Sequence, residues 1–213
     1  MPGNAGTALM SKNLDINIDN FQEVKDAVKN NKIDLLIVGP EKPLVNGIVD
    51  FLNDTGVKIF GPNKAASQLE GSKIFTKKLC EKYKIPTAKF GIFQNSDETI
   101  KFIDKTNLPI VIKADGLAAG KGVYICENKD EAHNAVGEIF RGKFGVAKNI
   151  LVEEFLDGEE MSFFILTDGV SIKCFETPQD HKRVNEGDKG KNTGGMGAYS
   201  PSRLINKDLE EKI

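Results

Sequence analysis

The segment 109–126 constrains the fold more than any other part of the chain. An apolar, β-type run, Ile110-Val111-Ile112, ends at Lys113. A loop of small residues and glycines follows, Ala114-Asp115-Gly116-Leu117-Ala118-Ala119-Gly120-Lys121-Gly122, and then a second β-type run, Val123-Tyr124-Ile125-Cys126. Glycines allow close approach to a ligand and leave backbone N–H groups free to face oxygens, and the two lysines add positive charge for phosphates. A Walker A loop needs four residues between its first glycine and Gly-Lys, then Ser or Thr, then a helix. Here three residues separate Gly116 from Gly120-Lys121, Gly122 holds the hydroxyl position, and the sequel is a strand. A dinucleotide fingerprint also opens a helix. The remaining reading is a glycine-rich flap between two antiparallel strands, with an ordinary glycine-rich hairpin as the alternative.

The rest of the chain supplies two kinds of frame. Residues 33–38 form an apolar run ending at Gly39-Pro40, and residues 57–60 form another ending at Gly61-Pro62. Buried parallel strands with loops at their carboxyl ends fit both, and Pro43 suits the first turn of a helix reaching about residue 53 between them. From residue 63 a helix is expected to run to 84, interrupted near Gly71-Ser72 and stopped by Ile85-Pro86. Beyond it the pattern alternates: strands over 90–93, 109–113, 122–126 and 150–155, and helices over 96–106, with Ser96 as cap, and 130–140. Residues 161–167 and 170–176 read as strands joined by a two-residue turn at Asp168-Gly169. Residues 177–200 read as a long functional loop. The expected fold class is thus α/β and α+β: a partial open parallel-sheet domain, then a second domain with an antiparallel frame.

Composition narrows the class. In 213 residues, 28% are charged and 39% hydrophobic, as in an ordinary globular protein. A net charge of −2 gives no reason to expect nucleic acid as a partner. No apolar run approaches the roughly 20 residues that span a bilayer, and no signal peptide is visible. Cys80, Cys126 and Cys174 are odd in number and widely spaced. They read as buried free thiols of a reducing cytoplasm, and a cytoplasmic location is expected. The opening residues have a loop composition, and the helix that Asn206 would cap reaches Ile213 without a stop signal. A cut chain is expected.

In order along the chain, Pro2-Gly3-Asn4-Ala5-Gly6-Thr7, Val38-Gly39-Pro40-Glu41, Ile59-Phe60-Gly61-Pro62, Gln68-Leu69-Glu70-Gly71-Ser72-Lys73, Lys113 with its glycine loop, Glu153 with the residues up to Glu160, Gln179-Asp180-His181-Lys182-Arg183, and Asn192-Thr193-Gly194-Gly195-Met196 with the residues up to Pro201 closely resemble the phosphoribosylamine–glycine ligases. These are ATP-grasp enzymes of purine biosynthesis, and the segments span essentially the whole chain. The resemblance implies a substrate-binding α/β domain over 1–71 and an ATP-grasp domain over 72–213, truncated at its C-terminus. It implies an ATP-dependent ligase that joins glycine to 5-phosphoribosylamine through a glycyl phosphate, releasing glycinamide ribonucleotide, ADP and phosphate.

The same resemblance assigns roles. Lys73 and Lys113 would contact the nucleotide phosphates beneath a flap formed by Gly116, Gly120, Lys121 and Gly122. Glu153 would accept the adenine amine, Leu156 would offer a backbone donor to the ring beside Phe155, and Glu160 would hold the ribose hydroxyls. Gly3, Asn4, Gly39, Pro40 and Glu41 would belong to the phosphoribosylamine site. Asp180, His181, Lys182, Arg183, Asn192, Thr193, Gly194, Gly195 and Met196 would lie by glycine and the reacting phosphate. Lys113, Asp180 and Lys182 would be catalytic, and His181 reads as a positioning or packing residue as readily as a base. The family's Mg2+ or Mn2+ ligands are expected beyond Ile213, with no metal residues here. The isolated chain is expected to be inactive or nearly so, and its parent a monomer. Two alternatives stay open: a ligase for another carboxylate and amine, separated by a substrate-dependent ADP-release panel, and a non-catalytic nucleotide-binding module, which would bind nucleotide without turnover.

Overall fold

Asn20 starts the first sizeable helix because its side-chain oxygen accepts from the free N–H groups of Gln22, at 3.2 Å, and Glu23. The computed structural model describes residues 1–117, 122–145, 148–187 and 189–213. They divide into two compact units, Met1–Phe155 and Leu156–Ile213.

The first unit opens with a short helix, α1 (Ala5–Ala8), where the sequence suggested only loop. Asn4 and Thr7 make the difference: Asn4 Oδ1 accepts from Thr7 N at 2.9 Å, and Thr7 Oγ1 accepts from Asn4 N at 2.8 Å. In α2 (Phe21–Asn30), Val24, Ala27 and Val28 share one face and are buried. Val24 and Val28 pack with Leu36 of β1 (Leu35–Ile37) and with Ile48 and Leu52. The helix expected after Pro40 is two helices, α3 (Glu41–Asn46) and α4 (Ile48–Leu52), because Gly47 takes the left-handed conformation, φ 95°, and closes α3. The next strand, β2 (Lys58–Phe60), pairs parallel with β1, so both Gly-Pro turns sit at the carboxyl ends of a parallel pair. Residues 63–67 form turns, and helix begins later than expected, as α5 (Gln68–Gly71) and α6 (Lys73–Tyr83). Ser72 separates the two and caps α6 through Phe75 N, at 3.1 Å.

The remainder of this unit is a four-stranded antiparallel sheet, β3 (Phe90–Phe93), β4 (Ile110–Ala114), β5 (Val123–Cys126) and β6 (Ile150–Glu154), in the order β3-β6-β4-β5. Two helices, α7 (Ser96–Asp104) and α8 (Lys129–Phe140), cover one face. Asn95, not Ser96, caps α7, its side chain accepting from Glu98 N at 2.9 Å. Ile110, Ile112, Ala114, Ile150 and Val152 point to the helices and share their core with Ile103, Cys126, Val136 and Ile139. Strand alternation therefore sends Lys113 and Glu153 to the opposite face. The antiparallel β4–β5 pairing, with Lys113 opposite Val123, excludes both helix-opening phosphate loops.

In the second unit, β7 (Ile165–Thr167) and β8 (Ile172–Cys174) form the expected hairpin, but four residues turn the chain, not two. Asp168 Oδ1 accepts from both Val170 N, at 2.9 Å, and Ser171 N, at 2.7 Å, which stabilises the wider loop. The supposed long loop is folded. β9 (Gln179–Asp180) pairs with β12 (Ala198–Tyr199), and β10 (Arg183–Asn185) pairs with β11 (Lys189–Asn192). These ladders are too short and polar to leave an apolar alternation in the sequence. Asn206 caps α9 (Lys207–Glu210), as expected. Of the cysteines only Cys126 is buried. Cys80 is half-buried and Cys174 exposed, because β8 has no covered face. No described helix is long and apolar enough to cross a membrane.

Candidate nucleotide and substrate site

Six side chains gather where β4, β6 and the start of α6 meet. Register places Lys113 opposite Leu151 and Glu153 opposite Val111, which makes Lys113 and Glu153 diagonal neighbours on one face. They form an ion pair, and Lys77 Nζ approaches the other carboxylate oxygen of Glu153. Glu153 is only 3% exposed. Its Oε1 has Lys77 as a charge neighbour but no hydrogen bond of acceptable geometry. At the end of β4, Asp115 accepts from Ser72 Oγ at 3.1 Å and from Ile74 N at 3.3 Å, tying the start of α6 to the strand. That tether brings Lys73 to the glycine loop, where its Nζ donates to Gly116 O at 2.8 Å. Burial pushes the Lys73 ammonium below its ordinary value, against the opposing pull of Asp115.

Gly116 has φ 94°, a conformation suited to glycine. Gly122 O accepts from Ala114 N at 2.9 Å and closes the hairpin base. Gly120 and Lys121 lie outside the described residues. A cavity of about 320 Å³ reaches Glu153 from the α7 edge of the sheet, lined in part by Phe90, Phe102, Val152 and Glu154, and Lys73 and Lys113 do not line it. A larger groove, about 680 Å³, lies along Val28–Asp34 and Thr55–Lys58 and carries none of the expected site residues. Lys77, Ser72 and Asp115 were given no role from sequence. The available signal was spacing: Lys77 follows Lys73 by four residues and shares its helix face.

The N-terminal group is placed apart from these lysines along the chain. Gly39 and Pro40 lead into α3, whose first residue is Glu41, and all three are exposed. A Cβ at Gly3 would stand 1.9 Å from Asn13 Oδ1, so a larger residue there requires the Asn13 side chain to move. Asn4 spends its side chain on the α1 cap.

The second unit brings its two sequence segments together. Thr193 N donates to Lys182 O at 2.7 Å, Met196 N to His181 O at 2.8 Å, and His181 N to Gly197 O at 2.9 Å. Arg183 faces Asn192 in the ladder, and its Nη1 donates to Gly190 O at 2.8 Å. Gly195, φ 117°, turns the chain after Gly194, its N–H donating to Thr193 Oγ1. The His181 ring stacks on Tyr199, with centroids 5.8 Å apart. Asp180 and Met196 are exposed. Glu160 and Lys182, assigned to different substrates from sequence, form one ion pair at 2.6 Å, and Glu160 holds the Lys182 ammonium above its ordinary value. Phe155 ends the first unit half-buried, and Leu156 opens the second exposed. Among the described residues no group of three or more His, Cys, Asp or Glu side chains could hold a metal ion.

Residues 1–70 match the family described as phosphoribosylglycinamide synthetase, N domain, and residues 71–213 the ATP-grasp (A) domain of the same synthetase. A phosphoribosylamine–glycine ligase of Mesorhizobium japonicum is 50% identical over 212 residues, covering 99% of this chain and 50% of its own. That of Escherichia coli K12 is 49% identical over 215 residues, covering 99% and 50%. The crystal structure of the Thermotoga maritima phosphoribosylamine–glycine ligase superimposes with a TM-score of 0.81 at 33% identity, over 99% of this chain and 51% of that one. Biotin carboxylase from Campylobacter jejuni shares the fold, with a TM-score of 0.73 at 16% identity over 91% of this chain and 43% of its own. The chain spans about half the length of the curated relatives it matches. Matched along its whole length by the two domains, it belongs to the phosphoribosylglycinamide synthetase family.

Proposed function

We propose that this chain carries ATP- and substrate-binding machinery of a cytoplasmic ligase that joins glycine to 5-phosphoribosylamine. One observation carries the nucleotide part: Lys73 and Lys113 converge beside the base of a glycine loop, next to a buried carboxylate. Phosphates need cations and backbone donors in a partly dehydrated setting, and adenine needs an acceptor for its amine beside apolar walls. Glu153 and Phe90, opposite it in the sheet, supply the latter.

In this reading a glycine carboxylate oxygen attacks the γ-phosphorus of ATP, and the bond to the β,γ-bridging oxygen breaks, releasing ADP. The 5-phosphoribosylamine nitrogen then attacks the glycyl carbonyl carbon, phosphate leaves, and the nitrogen gives up a proton. Lys73 and Lys113 balance charge on the transferring group, Lys113 exchanging Glu153 for phosphate. Gly116, Gly120, Lys121 and Gly122 cover the phosphates. Phe155 and Leu156 flank the adenine, and Glu160 holds the ribose. Asp180, Lys182 and Arg183, with Asn192 to Met196, position glycine; Gly3, Asn4 and Gly39 to Glu41 hold phosphoribosylamine. No protein nucleophile is required, since alignment and charge balance carry the chemistry. We place the boundary between the substrate-binding part and the ATP-grasp part near residue 71, and take Mg2+ as the ion accompanying ATP.

The test is ADP release by the 213-residue chain with ATP, glycine and 5-phosphoribosylamine, beside a panel of other carboxylates and amines. ADP release that needs both named substrates supports the reading. Release with a different pair replaces the substrates; without turnover, calorimetric binding of ATP together with glycine or 5-phosphoribosylamine still supports the reading, and binding of nucleotide alone reduces the chain to a nucleotide-binding module.

A further inference from the structure

Lys77 lies one turn beyond Lys73 on α6, and its side chain is only 12% exposed. Three contacts fix it. Its Nζ donates to Thr87 Oγ1 at 2.6 Å and to Ala88 O at 3.3 Å, and it stands 5.6 Å from the centre of the Phe90 ring. From that anchored position it supplies the charge beside Glu153 Oε1. Lys113 differs. Its side chain is 29% exposed, and its ion-pair partner among the described residues is Glu153.

The proposed reaction asks Lys113 to leave Glu153 for a phosphate. A buried carboxylate abandoned by its partner is strongly unfavourable, so a second cation must stay behind. Lys77 meets that need because the turn between α6 and β3 holds it in place. An ionised carboxylate also has about four lone-pair sites, and Oε1 receives charge from Lys77 without a well-formed hydrogen bond. The departure of Lys113 then frees Oε2 to accept from an amine.

We propose that Lys77 is a positioning residue for adenine selection: it fixes the Glu153 carboxylate and balances its charge while Lys113 engages phosphate. This rests on the nucleotide reading above. Lys77 itself touches neither the nucleotide nor the reacting atoms.

The experiment compares binding of ATP and ITP, which lacks the exocyclic amine, to the 213-residue chain by calorimetry. The variants are Lys77→Met, Lys77→Arg and Glu153→Gln, with thermal unfolding as the check on folding. The unsubstituted chain is expected to prefer ATP. Lys77→Met is expected to weaken ATP on the order of tenfold while changing ITP little, a difference of about 1.4 kcal/mol. Lys77→Arg, which keeps the charge, is expected to retain most of the preference. If Lys77→Met unfolds, Lys77→Gln carries the same expectation. An unchanged preference in folded Lys77→Met, or an equal loss for both nucleotides, overturns the role of Lys77. If Glu153→Gln abolishes the preference in that case, the nucleotide reading survives. A chain that binds neither nucleotide, or whose preference ignores Glu153→Gln, loses the nucleotide reading and the role of Lys77 together.

Discussion

The two units hold their candidate residues by different means. In Met1–Phe155, Lys73, Lys113 and Glu153 come from distant parts of the chain and meet through a buried sheet and a capped helix. In Leu156–Ile213, the segments around Asp180–Arg183 and Asn192–Met196 meet through backbone hydrogen bonds of short, exposed ladders. The first arrangement is paid for by an apolar core on the far face of the sheet. The second depends on turns, and its described side chains are mostly exposed or half-buried. A charge buried in the first unit is thus expected to be coupled to folding, and one in the second is not.

The sharpest way to break this contrast is through the core that carries the first cluster. Ile112→Ala, at a fully buried position next to Lys113, is expected to destabilise the first unit by about 2–5 kcal/mol in urea unfolding. It should weaken ATP binding with it. Retained stability would separate the site from the core.

An alkaline titration tests the same core more gently. Burial pushes the Cys126 thiol up from 9.0 to about 11. The unfolded chain releases this proton first, so it binds fewer protons than the folded chain between those values. Stability is therefore fully present below pH 9 and is lost as pH rises towards about 11, by about 2 kcal/mol. Cys126→Ala should remove that slope. Thiol labelling at neutral pH should modify exposed Cys174 at once and Cys126 only on unfolding.

The tether between Asp115 and the start of α6 is expected to come next. Asp115→Ala removes the acceptor for Ser72 Oγ and Ile74 N, with an expected loss of about 1–2 kcal/mol. Displacement of Lys73 should also lower ATP affinity. A change in affinity without a change in stability would show the tether to serve the ligand alone.

The smallest effect belongs to the second unit. Lys182→Met breaks an exposed pair with Glu160 and is expected to change unfolding free energy by less than about 1 kcal/mol. A larger loss would show that the exposed ladders depend on their charges, and would narrow the difference between the units.

Much of the frame was legible from residues. Apolar runs ending in Gly-Pro marked a parallel pair, and the strand after Gly122 marked the hairpin. The family-specific segments pointed to Lys73, Lys113 and Glu153 as one group and to the segments 180–183 and 192–196 as another. The misreadings share one cause. Gly47 inside a helix, the four-residue turn after Thr167, the cap at Asn95 and the short strands within 177–200 all depend on single local hydrogen bonds or dihedral angles. Such features leave no periodic pattern.

The sequence by itself determined the order of the larger elements, the strand after the glycine loop and the family, because hydrophobic period, glycine spacing and motif order are linear properties. Tertiary structure alone decided which charges meet. It set Lys77 and Lys113 on opposite oxygens of Glu153, placed Lys73 against Gly116, and paired Glu160 with Lys182. Those pairings follow from strand register, from the Asp115 tether and from burial, which makes an unpaired charge too unfavourable to leave alone.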